Sequence, residues 1–326
     1  VDPSPDPGSA APPAAPDRPF DAPLDAVSVT PRRGALTELL RELIAPAPPA
    51  GDGWMLAPGM VVGRFELIRE VGRGGFGVVY EARDRDLGRA VALKALRPRP
   101  RGGAAGTALL AEAEAAARLC HPHIVTLHEL GRTERGAFLV FELLRGEPLE
   151  ARLRREGPLP AREAVRIARA VAAALAHAHG RGVVHRDLSA RNVFLSEDGY
   201  PKVLDLGLAA VLGREPEAGG TPGYMPPEQR RGSPEDARTD VYALGVLLFQ
   251  MLAGALPGES GGPGPLTGPA PPEVEVAGAP GLGPLLARML APDPVDRPAD
   301  GAAVASALAA VEAELGPPAP DPAPEA

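Results

Sequence analysis

The chain has 326 residues, 44% of them apolar and 23% charged, with a formal net charge of −8 and a single cysteine. That length can bury a substantial core, and the acidic balance excludes the basic face that nucleic-acid or anionic-membrane binding requires, so any phosphate has to be held locally. Cys120 has no second cysteine to pair with, which points to a reducing, cytoplasmic setting.

Residues 1–62 begin with proline, alanine and aspartate and read as a disordered tail, and residues 1–35 lack the apolar run of a signal peptide. One stretch interrupts it. Leu36, Leu39, Leu40, Leu43 and Ile44 share one helical face, so residues 35–44 are expected to form a short amphipathic helix that either docks on a partner or frays. From Gly63, "RFELIREVGRGGFGVVYEARDRDLGRAVALKALR" alternates apolar and polar residues around glycines and charged turns, which predicts three antiparallel strands. A helix over 107–119 follows, then two strand-like runs, "IVTLHEL" and "AFLVFEL". Beyond Gly146 the pattern is mostly helical. The fold class is therefore α+β, a small β-rich lobe ahead of a larger α-helical one.

The best membrane candidate, "YALGVLLFQMLAGAL", is too short to span and is broken by Gln250, Gly245 and Gly254, so it reads as a buried helix and no membrane span is expected. "CHPHIVTLH" holds Cys120, His121, His123 and His128, but its spacing matches no zinc pattern. His177 and His179 read as ordinary helix-end histidines. Residues 258–284 form a Gly/Pro-rich loop and 316–326 a second tail.

"GRGGFGVVY" places Gly72, Gly74 and Gly77 in GxGxxG spacing between two strands, where glycine lets a backbone approach phosphates closely. Lys94, in "VALK", is a cation that could reach those phosphates. Glu112, on the helix and nine residues before His121, is favoured over Glu114 as the carboxylate that would hold the lysine in direction. "HRDLSARN", residues 185–192, adds a histidine, an arginine, an acid and an amide within one loop.

Glycine loop, "VALK", helix glutamate, "HRDLSARN", "DLG", "GTPGYMPPE", "DVYALGV" and "DRP" occur in that order, and together they resemble the eukaryotic-type (Hanks-type) protein kinases, bacterial serine/threonine kinases included. The resemblance implies a kinase domain over 63–315, with an N-lobe over 63–142 and a C-lobe over 143–315. It implies ATP and Mg²⁺ as cofactors and protein Ser/Thr hydroxyls as acceptors. Asp187 would be the catalytic base, Asn192 and Asp205 would hold metal, and Lys94 the phosphates. Phe141 would stand beside the adenine pocket, Glu142 and Leu144 would offer main-chain hydrogen bonds to the base, and Val79 and Ala92 would roof it. Asp240 would anchor the catalytic loop, Thr221 would bond toward Asp187, and Glu228 would pair with Arg297.

Two departures matter. Ser189 stands where serine/threonine kinases usually carry lysine, so either Arg191 supplies the missing cation, as in tyrosine kinases, or the protein is a pseudokinase scaffold. A small-molecule phosphotransferase is disfavoured by the peptide platform "GTPGYMPPE". Residues 206–220 contain no Ser, Thr or Tyr, so Glu215 and Glu217 either present carboxylates to Arg186 in place of a phosphate or are solvated surface acids.

Overall fold

The computed structural model describes residues 24–30, 56–74, 77–97, 107–206, 221–257 and 277–316. The helix expected over 35–44, Glu215, Glu217 and most of the Gly/Pro-rich loop lie outside these residues. The first lobe contains β1 (Val27–Val29), β2 (Val61–Val62), β3 (Phe65–Gly74), β4 (Gly77–Asp84), β5 (Arg89–Leu96), helix α1 (Thr107–Ala117), β6 (Leu127–Thr133) and β7 (Gly136–Glu142). The strands form one sheet in the order β1-β6-β7-β5-β4-β3-β2, and every pair is antiparallel.

Alternation along the strands separates two cores, as a period of two requires. Val78, Tyr80, Ala82, Val91, Leu93, Phe138 and Val140 pack on one face. Leu139 and Phe141, the intervening residues of β7, turn to the other and meet Ala113 and Ala117 of α1.

The tail expected to run through residue 62 is corrected at its inner end. The Leu24 amide donates to Val61 O at 2.8 Å, its carbonyl accepts from the Gly63 amide at 2.9 Å, and β1 pairs with β6. Residues 24–29 thus tie together strands near both edges of the sheet, and Leu24 is buried with Leu56 and Met60. A three-residue strand is too short for alternation to register in a proline-rich background.

The second lobe holds β8 (Gly146–Pro148), α2 (Leu149–Glu156), α3 (Ala161–His179), β9 (Val193–Ser196), β10 (Pro201–Val203), α4 (Pro227–Arg230), α5 (Ala237–Ala253), α6 (Leu282–Met289) and α7 (Gly301–Glu314). Gly301 opens α7 against the α3 backbone, where a Cβ would lie 2.5 Å from the Ala176 nitrogen. Asp236 caps α5 by accepting from the Arg238 amide at 2.8 Å, and Gly254 ends it at φ 77°. Gln250, the polar break in the apolar run, accepts from the Tyr224 hydroxyl. The run is a buried core helix, and among the described residues no helix is long and apolar enough to cross a membrane.

The lobes meet where Val125 donates to Val203 O at 3.0 Å and Val203 donates to His123 O at 2.9 Å. Beside this seam the His121 ring lies 5.6 Å from His123 and 5.2 Å from His177, centre to centre. Among the described residues no three His, Cys, Asp or Glu side chains gather to hold a metal. Burial, with the neighbouring imidazoles, pushes His121 below the usual 6.5. Burial and Arg181 do the same to His177, and burial and Arg89 to His128. A depressed imidazole resists a proton in the fold that the unfolded chain accepts. Stability is therefore unaffected by these groups well above pH 6.5 and falls as pH drops below it. Urea unfolding at pH 7.5 and 5.5 should show that loss, and His177→Gln should reduce it.

Candidate active site

The loop from His185 to Asn192 leaves α3 and enters β9, and a buried carboxylate holds its start. Asp240, in the first turn of α5, accepts from the His185 amide at 2.8 Å, the Arg186 amide at 2.9 Å and His179 Nε2 at 2.8 Å. Burial pushes the Asp240 carboxyl up, but the His179 hydrogen bond and the amides outweigh it and hold the group below its usual range. His179 Nδ1 accepts from the Gly301 amide at 3.1 Å, so Nε2 carries the proton given to Asp240. This link between α3, α5 and α7 corrects the reading of His179 as an ordinary helix-end residue. Arg186 sits at φ 64°, a conformation that non-glycine residues rarely adopt, and Gln229 Nε2 holds its carbonyl at 2.8 Å.

Thr221 and Asn192 fix Asp187. Its Oδ1 accepts from the Thr221 amide at 3.1 Å and the Thr221 hydroxyl at 3.2 Å. Asn192 Nδ2 donates to the Asp187 carbonyl at 2.7 Å and to Oδ2 at 3.2 Å. Lys94 crosses from β5 and gives Nζ to both oxygens of Asp205 at 2.6 Å, while Asp205 sits at φ 53°. The strands set the rest: Val79 lies opposite Lys94 and Gly72 opposite Val79, and Ala92 lies opposite Phe141. A Cβ at Gly72 or Gly74 would meet nothing within 4 Å, which leaves room for a ligand beside the hairpin. At Gly77 it would meet the Ala95 carbonyl at 1.9 Å, so the sheet itself demands that glycine.

Phe141 is buried and, with Leu119, Ile124, Leu127 and Leu206, lines a small cavity beside Asp205. The Glu142 amide already donates to Thr126 O at 3.0 Å, so an adenine contact from Glu142 would have to come from its carbonyl. Its carboxylate accepts from Lys202 Nζ at 2.6 Å and the Thr126 amide at 2.8 Å.

Two pairings differ from expectation. Glu112 accepts from Arg186 while Lys94 holds Asp205, so the Lys94–Glu112 pair is replaced in this arrangement. Arg191, the expected replacement cation, has a side chain that is 69% exposed and gives Nε to Glu150 at 2.7 Å. Ser189 is buried, and its hydroxyl has no hydrogen-bond partner among the described residues. The expected partner of Arg186 was Glu215 or Glu217, outside the described residues; Glu235 stands 3.1 Å from Arg186 Nε instead.

The platform beyond Asp187 is held by Glu228, which accepts from Arg297 Nη1 at 2.6 Å and Nη2 at 2.9 Å, and by Tyr224, whose hydroxyl accepts from the Ala190 amide at 3.3 Å. The model of the protein kinase domain matches residues 65–263, over half of the chain. The chain belongs to the protein kinase family. The chain is 38% identical over 275 residues to the serine/threonine-protein kinase pkn3 of Myxococcus xanthus, covering 77% of this chain and 50% of that protein. It is 38% identical over 205 residues to the serine/threonine-protein kinase PknD of Mycobacterium tuberculosis, covering 61% and 31%. With the serine/threonine-protein kinase PrkC of Bacillus subtilis it shares 36% over 214 residues, 63% and 33%. The chain spans about half the length of the first of these relatives and about a third of the others.

Proposed function

We propose that this kinase domain transfers the γ-phosphoryl group of Mg·ATP to serine and threonine hydroxyls of protein substrates in the cytoplasm. The observation that carries the reading is the convergence of Asp187, Asn192, Thr221, Asp205 and Lys94 at one junction of the two lobes. The donor set fits a magnesium–nucleotide complex: Asp205 and Asn192 offer the oxygen ligands that this hard cation takes, and the open faces of Gly72 and Gly74 leave space for phosphates. Bound there, magnesium would neutralise the charge that spreads over a phosphoryl group in transfer.

The protein's own part is placement. Asp187 Oδ2 is held by Asn192, and Oδ1 by Thr221, so the carboxylate is oriented to take the proton of an acceptor hydroxyl. Lys94, once Asp205 turns to the metal, would hold the nucleotide phosphates. Phe141, Val79 and Ala92 would bound the adenine site, with hydrogen bonds from the Glu142 carbonyl and the main chain of Leu144. Thr221, immediately beside Asp187, belongs to the segment that resembles the peptide platform of serine/threonine kinases. The relatives' names support that acceptor class, whereas Ser189 alone motivates a scaffold. Incubating the purified chain with magnesium, γ-labelled ATP and a generic protein acceptor tests the reading. Label on the acceptor that stops on chelation supports it, and nucleotide binding without transfer establishes the scaffold.

A further inference from the structure

The Arg186 guanidinium has two carboxylates on it, and they come from different lobes. Glu112 belongs to α1, beside the sheet. Glu235 belongs to the segment leading into α5, with Oε2 3.1 Å from Arg186 Nε, an ion pair by distance and charge rather than a hydrogen bond. All three side chains are largely withdrawn from water, at 27% exposure for Arg186, 15% for Glu112 and 16% for Glu235. A charge so placed needs a counter-ion, because solvent no longer supplies one in full.

Glu112 would have to leave Arg186 if it took up Lys94, the partner that the family resemblance gives it. Lys94 now holds Asp205, and a magnesium–nucleotide complex would draw that carboxylate to the metal. Lys94 would then lie between the phosphates and the sheet lobe, where Glu112 is the carboxylate expected to orient it. Glu235, by contrast, is carried on the lobe that holds Asp187, Thr221 and Gln229, so it can stay on Arg186 while α1 moves. No phosphate can take over within residues 206–220, which contain no hydroxyl side chain.

We propose that Glu235 is the built-in counter-ion of Arg186, keeping the catalytic loop in its left-handed turn when Glu112 exchanges to Lys94, so that transfer needs no activating phosphate on the chain. Glu235 is a positioning residue, acting through Arg186 on the neighbouring Asp187, and the inference rests on the phosphoryl-transfer reading above.

The test uses the full chain, treated with a broad-specificity phosphatase that is then removed, with intact mass confirming that no phosphate remains. Wild type, Glu235→Gln and Glu235→Asp are compared for kcat and for KM toward ATP and a peptide acceptor, with thermal unfolding measured alongside. The dephosphorylated wild type should transfer at full rate from the first turnover. Glu235→Gln should lower kcat about tenfold while KM for ATP stays within about twofold, and Glu235→Asp should recover most of the loss. A lag in the wild type that ends as phosphate accumulates on the chain overturns the proposal, without needing any variant to fold. An unchanged kcat in Glu235→Gln also overturns it, as does a loss that Glu235→Asp fails to recover. A wild type that transfers nothing before or after phosphatase treatment instead removes the phosphoryl-transfer reading, and this inference with it.

Discussion

Asp187→Asn lowers kcat for phosphoryl transfer by roughly 10²–10⁴-fold, the usual contribution of a positioned acid or base, while KM for ATP changes little. The asparagine has nearly the same shape and can still accept from Thr221 through its amide oxygen, so the loop is expected to keep its course. What it loses is the second carboxylate oxygen. The amide nitrogen would then face Asn192 Nδ2, donor against donor, and it has no lone pair for an acceptor's proton. Steady-state kinetics with a peptide acceptor, together with an unfolding curve, separates this chemical loss from collapse of the loop. A variant that keeps more than a tenth of the wild-type rate would remove Asp187 from the proton path.

Arg297→Ala should destabilise the fold by about 3–5 kcal/mol, the cost of stranding one member of a buried ion pair. Arg297 is 0% exposed and Glu228 9%. The guanidinium also donates to the carbonyls of Ala291 at 2.7 Å, Arg238 at 3.1 Å and Pro292 at 3.1 Å, and lies 4.8 Å from the centre of the Tyr242 ring. Removing it leaves a buried carboxylate and three carbonyls short of donors, with a cavity beside Tyr242. Replacing Glu228 and Arg297 together by apolar residues should cost less than the single change, since no charge is then left alone. Urea denaturation of the three proteins measures the difference; equal stability of Arg297→Ala and wild type would mean that water reaches Glu228.

What was legible of this site came through motifs that resemble the kinase family, and the residues they name make their contacts through backbone or short side chains. Asp240 reaches two successive amides of the catalytic loop, and Thr221 reaches Asp187 with both its amide and its hydroxyl. The alternation in "GVVYEARD" and "RAVALKAL" likewise fixes which residues of β4 and β5 face the core. Some long, flexible side chains escaped the reading, although the Glu228–Arg297 pair did not. Glu112 and Arg191 stand at the expected positions in sequence, yet one finds Arg186 and the other Glu150, partners 74 and 41 residues away. Which of several opposite charges a guanidinium meets depends on how the lobes and α2 are set, and no local pattern records that. The contribution of His179 was hidden for the same reason: it depends on Gly301, brought to α3 by the packing of α7.

The most direct measurement is the identity of the amino acid that carries the phosphate. After reaction of the dephosphorylated chain with Mg·γ-labelled ATP and a mixed protein acceptor, acid hydrolysis should yield labelled phosphoserine and phosphothreonine, and Asp187→Asn should abolish both. Labelled phosphotyrosine alone would contradict the assignment of the platform around Thr221. Bound nucleotide with no labelled residue would contradict phosphoryl transfer itself.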